Sequence, residues 1–363
     1  CLVGSEMCIR DSTYTLDFAD FDAPDINRKT VSTWDGTYPA VNTGATYSGG
    51  DGSQATPYII GSATDFAQFA KNTTSKNYRD TYFKLDVDIN LNDKPWTPTG
   101  NFAGVFDGQH HKITGLKVSG ADEKMGLFGQ LSNDGRLSNL HVSGDVENTS
   151  STTYYVAGGI CGLHGGVITN CSFSGSVRGV GLVGGIAGEC NGKIISCKST
   201  ASVFGKYAGG IAGRNSSGKC SIYGCYNEGV IETEGGNAGG IYGKDDGYDF
   251  DIKGCYNIGT VQGRQGGEVL GAITSSSASG SSVMASCYVR EKYAIAHATE
   301  ETVFGSSDWP TSTNNTVWYA DPSNDGTYTA GSDGVPTGNY KFWKSLGSWN
   351  GGTPEYPKLW WEE

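Results

Sequence analysis

"GCYNEG" at residues 224–229 and "GCYNIG" at residues 254–259 state one phrase twice, 30 residues apart. Their cysteines, Cys225 and Cys255, could be metal ligands, disulfide partners, nucleophiles or rungs of a repeated structure. The flanking sequence decides. "GVITNCSFSGSV" from Gly166, "GKIISCKSTASV" from Gly192, "CSIYGCYNEGVI" from Cys220 and "FDIKGCYNIGTV" from Phe250 align on one template. An apolar residue stands three positions before each cysteine: Ile168 before Cys171, Ile194 before Cys197, Ile222 before Cys225, Ile252 before Cys255 and Met284 before Cys287. Carried toward the N-terminus, the same frame assigns Ile113 and Leu137 to the isoleucine position and Leu116 and Leu140 to the cysteine position.

A second phrase lies between these: "GGICG" at 158–162, "GGIAG" at 184–188 and 209–213, "GGIYG" at 239–243, and a looser "GGEVLG" at 266–271. The Gly-Gly onsets step by 26, 25, 30 and 27 residues. A fixed step of that size marks a solenoid. No repeat contains a ten-residue run of helix formers, a leucine-rich consensus or a calcium nonapeptide, and the step is too short for propeller blades. Short β-branched strands separated by Gly, Asn and Ser corners remain, the pattern of an all-β, right-handed parallel β-helix. Stacking at about 4.8 Å per coil turns equivalent residues into ladders, and seven coils make a core on the order of 35 Å long.

Composition agrees. Glycine numbers 56 of 363 residues, about twice the usual share of roughly 7%, while proline numbers only 10. A formal net charge of -12 argues against a phosphate-tracking surface, so nucleic acid is excluded as a partner. No apolar run approaches the ~20 residues a membrane-spanning helix needs. The opening "CLVGSEMCIRDS", residues 1–12, resembles translated adapter sequence and is read as a non-native leader; a lipid-bearing Cys1 is the alternative.

Residues 13–50 read as an N-terminal extension leading into a cap, 51–290 as the β-helix, and 291–363 as C-terminal loops and a second cap. "SATDFAQFAKN" predicts a short lid helix with Ser62 as N-cap and Asp65 three residues on, burying Ala63, Phe66, Phe69 and Ala70. "TYFKLDVDINL" at 81–91 then reads as a first strand through Phe83, Leu85, Val87 and Ile89. Beyond about residue 290 the template fades through "TSTNNTVWYADPSNDGTYTAGSDGVP", and six of the eight tryptophans fall after residue 300. That aromatic-rich terminus is expected to bury itself as a cap. A sugar-stacking platform built on Trp360 and Trp361 is the alternative.

"GGDGSQATPYIIGSATDFAQFAKN", "YFKLDVDINL", "FAGVFDGQHHKITGL", "GLFGQL" and the "GGIAG" and "CYN" cycles together resemble the GLUG-motif surface proteins of bacteria, from about Trp34 to the terminal "YPKLWW". The resemblance implies a cell-surface or secreted repeat protein, an adhesin or spacer. The motif also accompanies immunoglobulin A peptidases, but "HExxH" is missing from this sequence, so a zinc-protease site has no residues to form it.

The candidate chemistry is sparse. Ladder cysteines 26 to 32 residues apart stand in a row and not around a point, which disfavours zinc, and no calcium-ligand spacing is present. Stacked Cβ atoms lie beyond the preferred disulfide span, so reduced, buried thiols are expected. Acidic-polysaccharide cleavage by a lyase or hydrolase would need clustered carboxylates with a cation or imidazole. Asp86 and Asp88, paired on one strand face, and Asp107, His110 and His111 in "FDGQHH" are the residues on offer. The simpler reading gives those residues to turns. Tyr226 and Tyr256 beside the cysteine ladder are candidates for an outward polar-aromatic row, with Trp360 and Trp361 the other binding candidates. The expectation is a monomeric, non-catalytic rod without cofactor or metal, extracellular or at the bacterial surface, binding a host or bacterial glycan or protein.

Overall fold

A computed structural model describes residues 30–244, 247–264, 269–271, 273–275, 282–290, 301–311, 318, 342–350 and 353–362. The predicted leader at 1–12, residues 13–29 of the extension and most of the loop at 311–336 lie outside these residues.

Each coil turns through four short faces. In one coil these are Arg136–Ser138, His141–Asn148, Val156–Gly158 and Cys161–His164, after which Val167–Thr169 stacks on Arg136–Ser138. Among the described residues the four sheets hold 9, 13, 6 and 6 strands, and every pairing within them is parallel. The chain is a parallel β-helix. Pairing begins at Ser32–Thr33 and extends to Glu301–Val303.

The first face carries the isoleucine ladder. Phe83, Phe106, Leu137, Ile168, Ile194, Ile222, Ile252 and Met284 follow one another in register and are buried. Each such side chain contributes roughly 1.5–3 kcal/mol on leaving water. The rung assigned to Ile113 is therefore held by Phe106. Ile113 sits on the second, long face between Ile89 and Val142, and Leu116 lies opposite Gly144. The cause is local: the corner before Lys112 is longer than its successors and holds two left-handed residues, Gln109 (φ 50°) and His110 (φ 60°). "KITGL" and "RLSNL" look alike yet fall at different places on the coil.

From Leu140 onward the cysteine ladder is real, and it is more than apolar filling. Each rung follows a left-handed corner residue: Asn139, Asn170, Ser196, Gly224, Gly254 and Ser286 all hold φ between 52° and 60°. That turn leaves peptide groups facing inward. The Cys225 thiol donates to Tyr223 O at 3.3 Å, and its sulfur accepts from Cys197 N at 3.3 Å; Cys197 and Cys255 repeat the arrangement. Cysteine fits because it is small, apolar overall and able to satisfy both groups. All eight described cysteines are buried and unbridged.

The Gly-Gly phrase forms the corner between the two remaining faces, around a buried ladder of Ile160, Ile186, Ile211, Ile241 and Ile273. A Cβ on Gly184 would lie 1.9 Å from Ala187 O, so the requirement at that corner is close approach of backbone.

Helix Ala63–Asn72 is the predicted lid. Ser62 Oγ accepts from Asp65 N at 3.0 Å, and Phe66 and Phe69 join an aromatic cluster with Phe83, Phe102, Phe106 and Trp96. The following strand, Tyr82–Leu85, stops before Asp86, so Asp86 and Asp88 flank a corner around buried Val87 instead of sharing a strand face. At the other end, the aromatic stretches 342–350 and 353–362 lie along the outer flank of the long face. Trp343 packs on Tyr256, and Trp360 reaches Asn170, 190 residues earlier.

Candidate binding cleft

The residue after each cysteine rung points outward. Lys112, His141, Ser172, Lys198, Tyr226, Tyr256 and Tyr288 pair in register as one row along the long face. The aromatic segment divides this row in two. Over the tyrosine half it packs closely: the rings of Tyr226 and Tyr256 stack at 4.5 Å, Tyr256 donates to Pro357 O at 2.7 Å, and Tyr226 donates to Glu362. Both tyrosines are at most 2% exposed, so the polar-aromatic row predicted to face solvent is a buried seam.

The segment's last described residues then form a wall beside the other half. Trp361 Nε1 donates to Ser196 O at 2.9 Å and Trp360 Nε1 to Asn170 Oδ1 at 3.1 Å. Both acceptors belong to left-handed corner residues of the ladder, so the fold's own corners fix the indoles. Between this wall and the long face runs a cleft of about 490 Å³, lined by His110, Lys112, His141, Ser172, Ser174, Lys198, Thr200, Trp361 and Glu362.

The rows of this cleft are tied together. His141 Nδ1 is 3.0 Å from Ser172 Oγ and its Nε2 is 3.2 Å from His110 Nδ1. The two imidazoles stack at 5.5 Å; Trp360 meets His110 edge-on at 5.5 Å and Trp361 lies 4.8 Å from His141. Burial pushes His141 down to about 4, helped by the charges of His110 and Lys112, so the ring is neutral near pH 7. Burial likewise lowers His110, against the opposing pull of Asp107.

Lys198 Nζ lies 3.0 Å from Glu362 Oε1 and 3.4 Å from Glu228 Oε2. Burial works against its charge, and the two carboxylates outweigh that, raising its pKa. Asp88 accepts from Lys112 N at 3.0 Å and pairs with His111 at 2.8 Å. Burial pushes Asp88 up, but these bonds and the charges of His111 and Lys112 more than offset it, leaving the carboxyl below its usual range.

The candidates noted separately in the sequence thus fall into two groups. His110 and Trp361 line the cleft, while Trp360, Asp88 and His111 support its edge. Asp107 accepts from Gln109 N at 2.9 Å and Asn139 Nδ2 at 2.8 Å as a turn carboxylate, and neither it nor Asp86 lines the cleft. His141, Ser172 and Lys198 were not singled out from sequence. The signal was present in the template position after each cysteine, where only the tyrosines drew attention. Among the described residues, no group of three or more His, Cys, Asp or Glu is placed to hold a metal ion, and no helix is long and apolar enough to cross a membrane.

The chain carries the GLUG motif, matched at residues 153–178. That stretch is one full coil, from the strand Val156–Gly158 to the strand Ser172–Arg178. Two curated proteins are similar over part of the chain. Halomucin of Haloquadratum walsbyi is 30% identical over 153 residues, 37% of this chain and 2% of that protein. A protein named as a candidate Gly-rich membrane protein of Evansella cellulosilytica is 30% identical over 137 residues, 35% of this chain and 15% of that protein. The chain therefore spans a small part of either relative. Among solved structures, a candidate immunoglobulin A1 protease from Bacteroides ovatus superposes with a TM-score of 0.62 at 23% identity, covering 82% of this chain and 97% of the other. That likeness concerns the fold.

Proposed function

We propose that this GLUG-motif β-helix is a non-catalytic binding module, displayed at the bacterial surface or secreted, and that the cleft between Trp361 and the Lys112–Lys198 row holds a glycan. The observation that carries this reading is the composition of the cleft. An indole and two neutral imidazoles supply flat apolar surface, while Ser172, Ser174, Thr200, Lys198 and Glu362 supply hydroxyl, donor and acceptor groups around it. Sugars present that same mixture, with apolar C–H faces and a rim of hydroxyls. The names of the relatives support a surface setting, since one is described as a membrane protein.

Cleavage of an acidic polysaccharide is the competing reading. It requires a positioned acid and base. Of the residues available, Asp107 is engaged in a turn, Asp88 is held by His111 and Lys112, and the one carboxylate lining the cleft, Glu362, is held by Lys198 and by Leu359 N at 2.7 Å. Incubation of the purified chain with a polysaccharide panel separates the two. Saturable binding without new chain ends supports the module, and binding should weaken at least tenfold in Trp361→Ala, the loss typical of an anchoring aromatic. Release of new reducing or unsaturated ends, lost in Asp88→Asn, would replace it with the enzyme.

A further inference from the structure

The glycan reading leaves open which sugars the cleft accepts, and the charges around it narrow the class. The two lysines at the cleft, Lys112 and Lys198, stand among three carboxylates, Asp88, Glu228 and Glu362. Lys198 meets Glu362 at 3.0 Å and Glu228 at 3.4 Å, and Asp88 lies against Lys112, holding its backbone N–H. The two imidazoles between the lysines are neutral near pH 7. Lys198 is already paired with two carboxylates, the Lys112 charge lies near that of Asp88, and the chain as a whole carries -12. A polyanion would approach against that field.

The row also sets a length. Lys112, His141, Ser172 and Lys198 are successive rungs, so the first and last stand three strand spacings apart, roughly 14 Å. One sugar ring cannot reach across that distance; a short linear oligosaccharide can.

We infer that the cleft selects an uncharged oligosaccharide, long enough to run from Lys112 to Lys198 along the His141 and Ser172 rungs, and rejects uronate-rich or sulfated chains. This rests on the glycan reading. Lys112 then donates to sugar hydroxyls, Lys198 and Glu362 act as a paired donor and acceptor, and the excess negative charge discriminates against anionic chains.

The test is titration calorimetry of the full chain with neutral gluco-, manno-, galacto- and xylo-oligosaccharides, their monosaccharides, and oligogalacturonates of matching length. The expected result is binding of at least one neutral oligosaccharide, no measurable binding of its monosaccharide, and affinity for oligogalacturonate weaker by roughly tenfold or more at low salt. Glu362→Gln, which removes one charge and keeps one of the two acceptor oxygens, should narrow that preference severalfold. Oligogalacturonate binding as tightly as the best neutral chain, or a preference that Glu362→Gln leaves unmoved, would overturn the inference and leave glycan binding intact. Binding of no oligosaccharide at all would overturn both.

Discussion

His110 Nδ1 and His141 Nε2 stand 3.2 Å apart on adjacent coils, with Trp360 against the first ring and Trp361 against the second. The bond needs one donor and one acceptor, so protonating both rings removes it and leaves two cations in contact, with Lys112 nearby. Burial holds the folded pKa of His141 at about 4, below the usual 6.5, and lowers that of His110. The unfolded chain therefore binds more protons than the folded one between those values, and this contribution is complete above about pH 6.5 and lost progressively as pH falls toward about 4. Thermal unfolding at pH 7.5 and pH 4.5 should show a fall in Tm that is smaller in His141→Gln. An equal fall in the two proteins would contradict this.

The Gly-Gly corner predicts a sharp contrast between two glycines. A methyl on Gly184 meets Ala187 O at 1.9 Å and Ala212 Cα at 2.9 Å, atoms fixed by coil stacking, so Gly184→Ala should cost about 3 kcal/mol or more. At Gly235 the built Cβ has nothing within 4 Å, and only its φ of 67° is unfavourable, so Gly235→Ala should cost about 1 kcal/mol. Urea unfolding midpoints measure the difference.

Burial pushes the Cys225 thiol well up, and its neighbours Cys197 and Cys255 add to the shift. It should resist thiol reagents in the native protein and react at once in denaturant. Cys225→Ala should cost about 2 kcal/mol, since it opens a cavity and leaves Cys197 N without its sulfur acceptor. Rapid labelling of native Cys225 would show that the ladder is open to solvent.

What the sequence made legible follows from range. The cysteine template, the Gly-Gly step and the lid helix are set by near neighbours or by stacking at one repeat's distance, and periodicity exposes both. Ile113 and Leu116 were misplaced because a corner lengthened by Gln109 and His110 shifts the frame without disturbing the local pattern. The cleft was invisible for a different reason. Trp360 to Asn170 spans 190 residues and Trp361 to Ser196 spans 165, and contacts that occur once at such separations leave no repeat to read. Contacts of similar range, Tyr226 to Glu362 and Tyr256 to Pro357 and Trp343, explain why these tyrosines, outward by strand alternation, are covered.

The central claim is that ligand occupies the flank between Trp361 and the His141 row. Hydroxyl-radical footprinting of the chain, with and without a bound oligosaccharide, tests it most directly. Protection should be confined to Trp361, His110 and His141, with half-exposed Trp309 and the Trp349 ring, 37% exposed, unchanged. Saturable binding that leaves Trp361 and His141 as reactive as in the free protein would contradict the account.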